Sequence, residues 1–144
     1  MIVGHAMIEI TVEAVTENLD KVTDFVNNAL EERGCSMRDI LKIDVAVDEI
    51  FANIAHYAYD HGKGDMTLRL SFAEDPFRVE FEFIDSGKPF DPLEREDPDV
   101  NLDAAHRQIG GLGIFVVKKT MDKVSYRYAD GQNILTVVKN LAVA

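Results

Sequence analysis

The chain has 144 residues, of which 47% are hydrophobic and 28% charged, a composition that supports one packed core and excludes a disordered class. Its 26 acidic and 15 basic residues give a net charge of −11, which repels phosphate backbones and anionic lipid and argues against nucleic-acid or membrane binding. Cys35 is the sole cysteine, so no internal disulfide is available; no apolar run approaches about 18 residues and no basic leader opens the chain, so the expectation is a cytoplasmic protein.

Taken in chain order, residues 7–14 alternate, with Ile8, Ile10 and Val12 on one side and Glu9, Thr11 and Glu13 on the other, which predicts a half-buried strand. Thr16 offers an N-cap for a helix whose apolar positions are Leu19, Val22, Val26, Ala29 and Leu30, closed by Gly34 at the C′ position. Ser36 with Asp39 resembles a capping box for a second helix. There Ile40, Ile43, Val47, Ile50 and Ile54 recur at helical spacing, and the helix is predicted to run to about Tyr59. Residues 60–65 read as a turn. Two alternating runs, 66–72 and 77–84, are predicted to pair as a hairpin around the corner at 73–76. From Asp85 to Ile109 the pattern dissolves into a long polar loop, more than a connector needs. A short helix follows at 114–121, with Phe115, Val116 and Met121 expected on its buried side. Runs at 123–128 and 133–141 then close as a hairpin around 129–132. With no repeat or linker, residues 1–144 read as one α/β domain, a two-layer sandwich with helices on one face of a mostly antiparallel five-stranded sheet.

Three polar signals interrupt this scaffold. Glu49 and Asn53 lie one helical turn apart on the flank of the apolar stripe, where a carboxylate and a neutral carboxamide can share a hard cation such as Mg²⁺, or equally form an ordinary solvated flank. Asp85 ends a strand and Ser86-Gly87 releases the backbone, an arrangement suited to accepting a hydrogen bond from a flat base and also common in plain turns. Gly110-Gly111-Leu112-Gly113 opens a helix, so that backbone N–H groups and the helix dipole can face a phosphate. It is neither a Walker A motif nor a dinucleotide fingerprint. The histidines His5, His56, His61 and His106 have no metal-ligand spacing.

In order and spacing these signals resemble the GHKL superfamily of ATPases (gyrase, sensor histidine kinases and MutL among them) with its Bergerat fold, whose sheet is mixed but mostly antiparallel. Glu49-Ile50-Phe51-Ala52-Asn53 matches the N box, Asp85-Ser86-Gly87 the G1 box, and Gly111-Leu112-Gly113 the G2 box. The continuations Ile54 to Tyr59, Pro89-Phe90-Asp91-Pro92, and Ile114 to Val117 leading to Met121-Asp122 look most like the anti-sigma factor serine/threonine kinases. The resemblance implies ATP and Mg²⁺ as ligands. Asn53 would hold the metal, Glu49 would be the general base, and Asp85 would read the adenine amino group with Gly87 making room. Gly111, Leu112 and Gly113 would line the phosphates, with residues 91–109 as the ATP lid. Arg107 or Lys88 would supply a basic contact to the phosphates; Gln108 stands where this kinase group carries a basic residue, with Arg107 displaced by one. The implied function is an anti-sigma kinase that binds a sigma factor and phosphorylates an anti-anti-sigma protein of the STAS type, with a homodimer also implied. The alternative is a non-catalytic ATP-binding module whose lid controls partner binding.

Overall fold

The computed structural model describes residues 7–59, 63–94 and 111–143. Within them lie β1 (Ile8–Glu13), a 3-10 turn (Thr16–Asn18), α1 (Leu19–Glu32), α2 (Met37–Tyr57), β2 (Asp65–Ala73), β3 (Arg78–Asp85), a 3-10 turn (Pro92–Glu94), α3 (Gly111–Thr120), β4 (Lys123–Ala129) and β5 (Gln132–Asn140). The sheet order is β1-β2-β3-β5-β4, and every pairing is antiparallel, so among the described residues the sheet is not mixed.

The core is set by alternation meeting helical periodicity. Met66, Leu68, Leu70 and Phe72 of β2, Val79, Phe81 and Phe83 of β3, and Leu135 and Val137 of β5 point to one face and are buried. Against them pack Val22, Val26 and Leu30 of α1 and Ile40, Ile43, Val47 and Ile50 of α2. The opposite sheet face is polar near β1: the register pairs Thr11 with Thr67 and Glu9 with Arg69, whose side chains bond at 2.8 Å in both cases. A two-layer sandwich results, with α2 at its centre.

Local expectations are met unevenly. Gly34 takes φ +73° just past the Arg33 C-cap, as a C′ glycine should. The β4–β5 turn puts Asp130 and Gly131 at φ 53° and 76°, the pair of left-handed residues that a two-residue hairpin requires. Thr16, by contrast, caps nothing. It opens the 3-10 turn, and Asn18 occupies the N-cap of α1 while its side-chain amide donates to the Glu13 carbonyl at 2.9 Å. Ser36 does cap α2, accepting from Asp39 N at 3.2 Å. Asp39 does not complete a box: its carboxylate accepts from Ala142 N at 2.7 Å, and Ser36 N donates to Ala142 O at 3.0 Å, so a tertiary clasp replaces the local bond. Along α3 the buried residues are Ile114 and Val117, joined by Met121 just past its end, with Phe115 and Val116 only half-buried. Residues 114–117 are all apolar, so periodicity alone could not choose the register that packing on α2 selects.

Candidate functional site

The site forms where the second half of α2, the end of β3 and the start of α3 converge. An open cleft there is walled by apolar side chains, among them Ile50, Ile54, Phe83, Ile114 and Leu135, with Asn53, Asp85, Lys88 and Asn133 as its polar members. Asn53 of α2 and Asp85 of β3, 32 residues apart in sequence numbering, therefore face one cavity. Its lining, mostly apolar with a few converging polar groups, suits an apolar ring with a few polar edges.

Asp85 is buried because it falls on the inward parity of β3, continuing Phe81 and Phe83. Its Oδ1 accepts from Gly87 N at 2.9 Å and from Asn133 Nδ2 at 2.9 Å. Among the described residues both donors meet one oxygen, and Oδ2 has no donor of its own. Gly87 is required by packing. A Cβ there would come within 2.8 Å of the Ala58 Cβ and nearer still to the Ala58 carbonyl, which accepts from Lys88 N at 3.1 Å. The close approach this glycine permits in the structure is to the end of α2.

Glu49 is exposed and is not a cavity wall; it lies at the rim, beside the first turn of α3. A Cβ on Gly113 would overlap the end of the Glu49 side chain while meeting the Glu49 Cβ at an ordinary 3.4 Å, so the bare position makes room for the carboxylate as it is placed here. A carboxylate beside a helix N-terminal turn is also electrostatically favoured. Gly111 and Leu112 form the start of α3. Lys88 lines the cavity. Arg107, Gln108, Gly110 and residues 95–109 of the expected lid lie outside the described residues, whereas 91–94 form the start of that segment with a 3-10 turn.

Asn133 was not anticipated, yet it organises the site. Its Nδ2 donates to Asp85 Oδ1 and to Lys88 O at 2.8 Å, and its Oδ1 accepts from Phe90 N at 3.1 Å and from the Tyr126 hydroxyl. One buried carboxamide thereby ties the strand-end acid to the whole 85–90 turn. The signal was present: Asn133 shares parity with Leu135 and Val137, so a polar side chain points inward at the head of an apolar strand. Tyr59 plays a similar part from α2's end, donating to Asp65 O at 2.7 Å and accepting from Ser86 N at 2.8 Å. Burial, as the largest cause, raises the hydroxyl pKa of both Tyr59 and Tyr126 above the ordinary value, so both remain donors at neutral pH. Tyr57 stacks on Phe90 with centroids 6.2 Å apart, both bordering the cavity, and the exposed His56 touches Tyr57 edge-on rather than any ligand group.

Residues 12–139 match the family described as histidine kinase-like ATPase domain. The chain belongs to this family. It is also similar to relatives named serine-protein kinase RsbW. The chain is 33% identical to that of Halalkalibacterium halodurans over 133 residues (86% of this chain, 77% of the relative). It is 26% identical to that of Bacillus cereus over 132 residues (89% and 81%) and 31% identical to that of Listeria monocytogenes over 107 residues (71% and 67%). Among solved structures, a Mycobacterium tuberculosis protein with RsbU and RsbW domains shares the fold at a TM-score of 0.67 and 20% identity, with 94% of this chain covered. The chain spans 32% of that protein's length. Among the described residues no helix is long and apolar enough to cross a membrane, and no cluster of His, Cys, Asp or Glu could hold a metal by itself.

Proposed function

We propose that this chain is an ATP-dependent serine/threonine protein kinase acting as an anti-sigma factor, which binds a sigma factor and phosphorylates an anti-anti-sigma protein of the STAS type. The observation that carries this reading is the shared cavity of Asn53 and Asp85, with Glu49 at its rim against Gly113. The similarity to RsbW serine-protein kinases supports it.

Asp85 Oδ2 accepts the adenine amino group, while Ile54, Phe83 and Leu135 enclose the ring. Asn53 would hold Mg²⁺ through its neutral carboxamide oxygen, in keeping with a site that has no carboxylate cluster among the described residues. When bound, the metal would neutralise phosphate charge. The amides of Gly111, Leu112 and Gly113 at the start of α3 and the Lys88 ammonium add positive potential, with Arg107 assigned a phosphate contact by the family resemblance alone. Glu49, exposed at the rim, takes the proton of the incoming hydroxyl. Gly87 serves the site by seating the 85–90 turn on Ala58. The protein works in the cytoplasm, and β1, which forms one sheet edge, is available to pair with a second copy across a two-fold axis.

The test is transfer of labelled γ-phosphate to the STAS proteins of the same genome, beside nucleotide binding. Asn53→Ala abolishes Mg-ATP binding, whereas Glu49→Ala binds normally and loses transfer by roughly a hundredfold or more. Normal ATP binding by both variants would overturn the assignment of Asn53 as the metal ligand. Binding without transfer to any STAS protein by the wild type would leave an ATP-controlled binding module in place of the kinase.

A further inference from the structure

The first three turns of α2 carry a row of apolar side chains that the core does not use. Met37, Leu41 and Val45 are 62%, 58% and 48% exposed, at a spacing of four residues that places them on one face. The next residue in that row is Glu49, itself exposed. At about 1.5 Å rise per residue the row ends roughly 6 Å short of the Glu49 backbone. The charge pattern of this segment is also sorted. Asp39 is turned inward to Ala142, and Asp44 has a side-chain oxygen buried. Arg38 is exposed and Lys42 half-exposed, each three residues before Leu41 and Val45 respectively, and among the described residues neither is in an ion pair. In a chain of net charge −11 the Met37–Val45 part of the row is thus apolar and flanked by two basic side chains, and the helix turns acidic only at Asp48 and Glu49 beyond it.

We infer that this strip is the docking surface for the phospho-acceptor protein, which lays an apolar ridge with an acidic rim along Met37, Leu41 and Val45 and so presents its hydroxyl to Glu49. The inference rests on the kinase reading above. Charge complementarity selects the occupant: Arg38 and Lys42 attract an acidic rim and steer its approach. A second copy of the chain fits less well, because a two-fold contact through this strip would bring the same basic side chains of both copies together. Continuity with Glu49 makes the contact productive, since docking energy spent on a row collinear with the base positions the acceptor where transfer occurs.

The experiment uses the full chain and the STAS protein that accepts phosphate in the transfer assay. Leu41→Asp/Val45→Asp is expected to raise KM for that acceptor roughly tenfold or more, with kcat at saturating acceptor within about twofold of wild type. Arg38→Glu/Lys42→Glu is expected to raise it several-fold and to flatten its dependence on salt. Nucleotide affinity stays unchanged in both. An unaltered KM overturns the surface while leaving the kinase reading intact. If STAS proteins bind without accepting phosphate, the kinase reading fails, and the same variants read the surface through the acceptor Kd. If none binds at all, both fail. Sedimentation completes the test: a wild-type dimer that dissociates in the Leu41→Asp/Val45→Asp variant identifies a self-interface and overturns the inference.

Discussion

Residues in this site divide into those that face the cavity and those that hold them there. Asp85 commits Oδ1 to Gly87 N and Asn133 Nδ2, so its orientation is decided by neighbours before any ligand arrives. Replacing Asn133 removes donors from Asp85 and Lys88 O and an acceptor from Phe90 N and Tyr126. Because stranded buried polar groups cost about 1–3 kcal/mol, Asn133→Ala is expected to lower unfolding stability by roughly 2–3 kcal/mol in denaturant titration. Nucleotide affinity is expected to fall with it, because Asp85 loses its restraint. An Asn133→Ala variant that loses stability but keeps wild-type nucleotide affinity would show a purely structural role.

At the scale of elements, α1 and α2 meet through an acidic, partly buried seam. Asp48 accepts from Thr23 Oγ1 at 3.3 Å, while Asp44 Oδ1 and Asn27 Oδ1 are both buried without a hydrogen-bond partner. Burial, the largest cause, raises the Asp44 pKa above the ordinary value, with the charge of Asp48 adding to it and a hydrogen bond from Asn27 opposing it. Burial likewise raises that of Asp48. A carboxyl whose folded pKa is raised contributes stability below its unfolded pKa and loses that contribution as pH rises through the folded value. At pH 7 both groups are therefore on the costly side. Asp44→Asn removes the charge and offers a donor beside the orphaned Asn27 oxygen, so it is expected to raise Tm by a few degrees at pH 7, the effect of about 1 kcal/mol in a domain this size. The gain shrinks on acidification through the carboxyl range, where wild-type Asp44 is protonated. Thermal melts of the two proteins at pH 7 and pH 4 check both the sign and its fading.

For the whole molecule, the cavity sits between layers, bounded by helix side chains from α2 and α3 and by strand side chains from β3, β4 and β5. Occupying it with nucleotide ties the layers together, so ligand binding reads out as global stability. At a Mg-ATP concentration about one hundred times Kd, linkage supplies about 2.7 kcal/mol, an expected Tm rise of roughly 5–10 °C in a thermal-shift measurement. Asn53→Ala should erase that rise without a large change in the ligand-free Tm, because Asn53 is only half-buried and lies outside the core cluster.

Much of this was legible in the order of residues. Alternation at 7–14, 66–72 and 77–84, helical spacing at 40–54 and the 129–132 turn determined the elements, because periodicity of burial is a local property that a chain must display wherever one face is apolar. The N, G1 and G2 motifs determined the family for a related reason: carboxamide, acid and glycine are needed at particular places on those elements. What only the tertiary structure decided depends on partners remote in sequence. Asn133 reaches Asp85 across the β3–β5 pairing, Asp39 abandons its capping box for Ala142, Gly113 admits Glu49, and Gly87 admits Ala58. Hydrogen bonds and close approaches of this kind follow from strand register and helix docking, which no single segment encodes by itself.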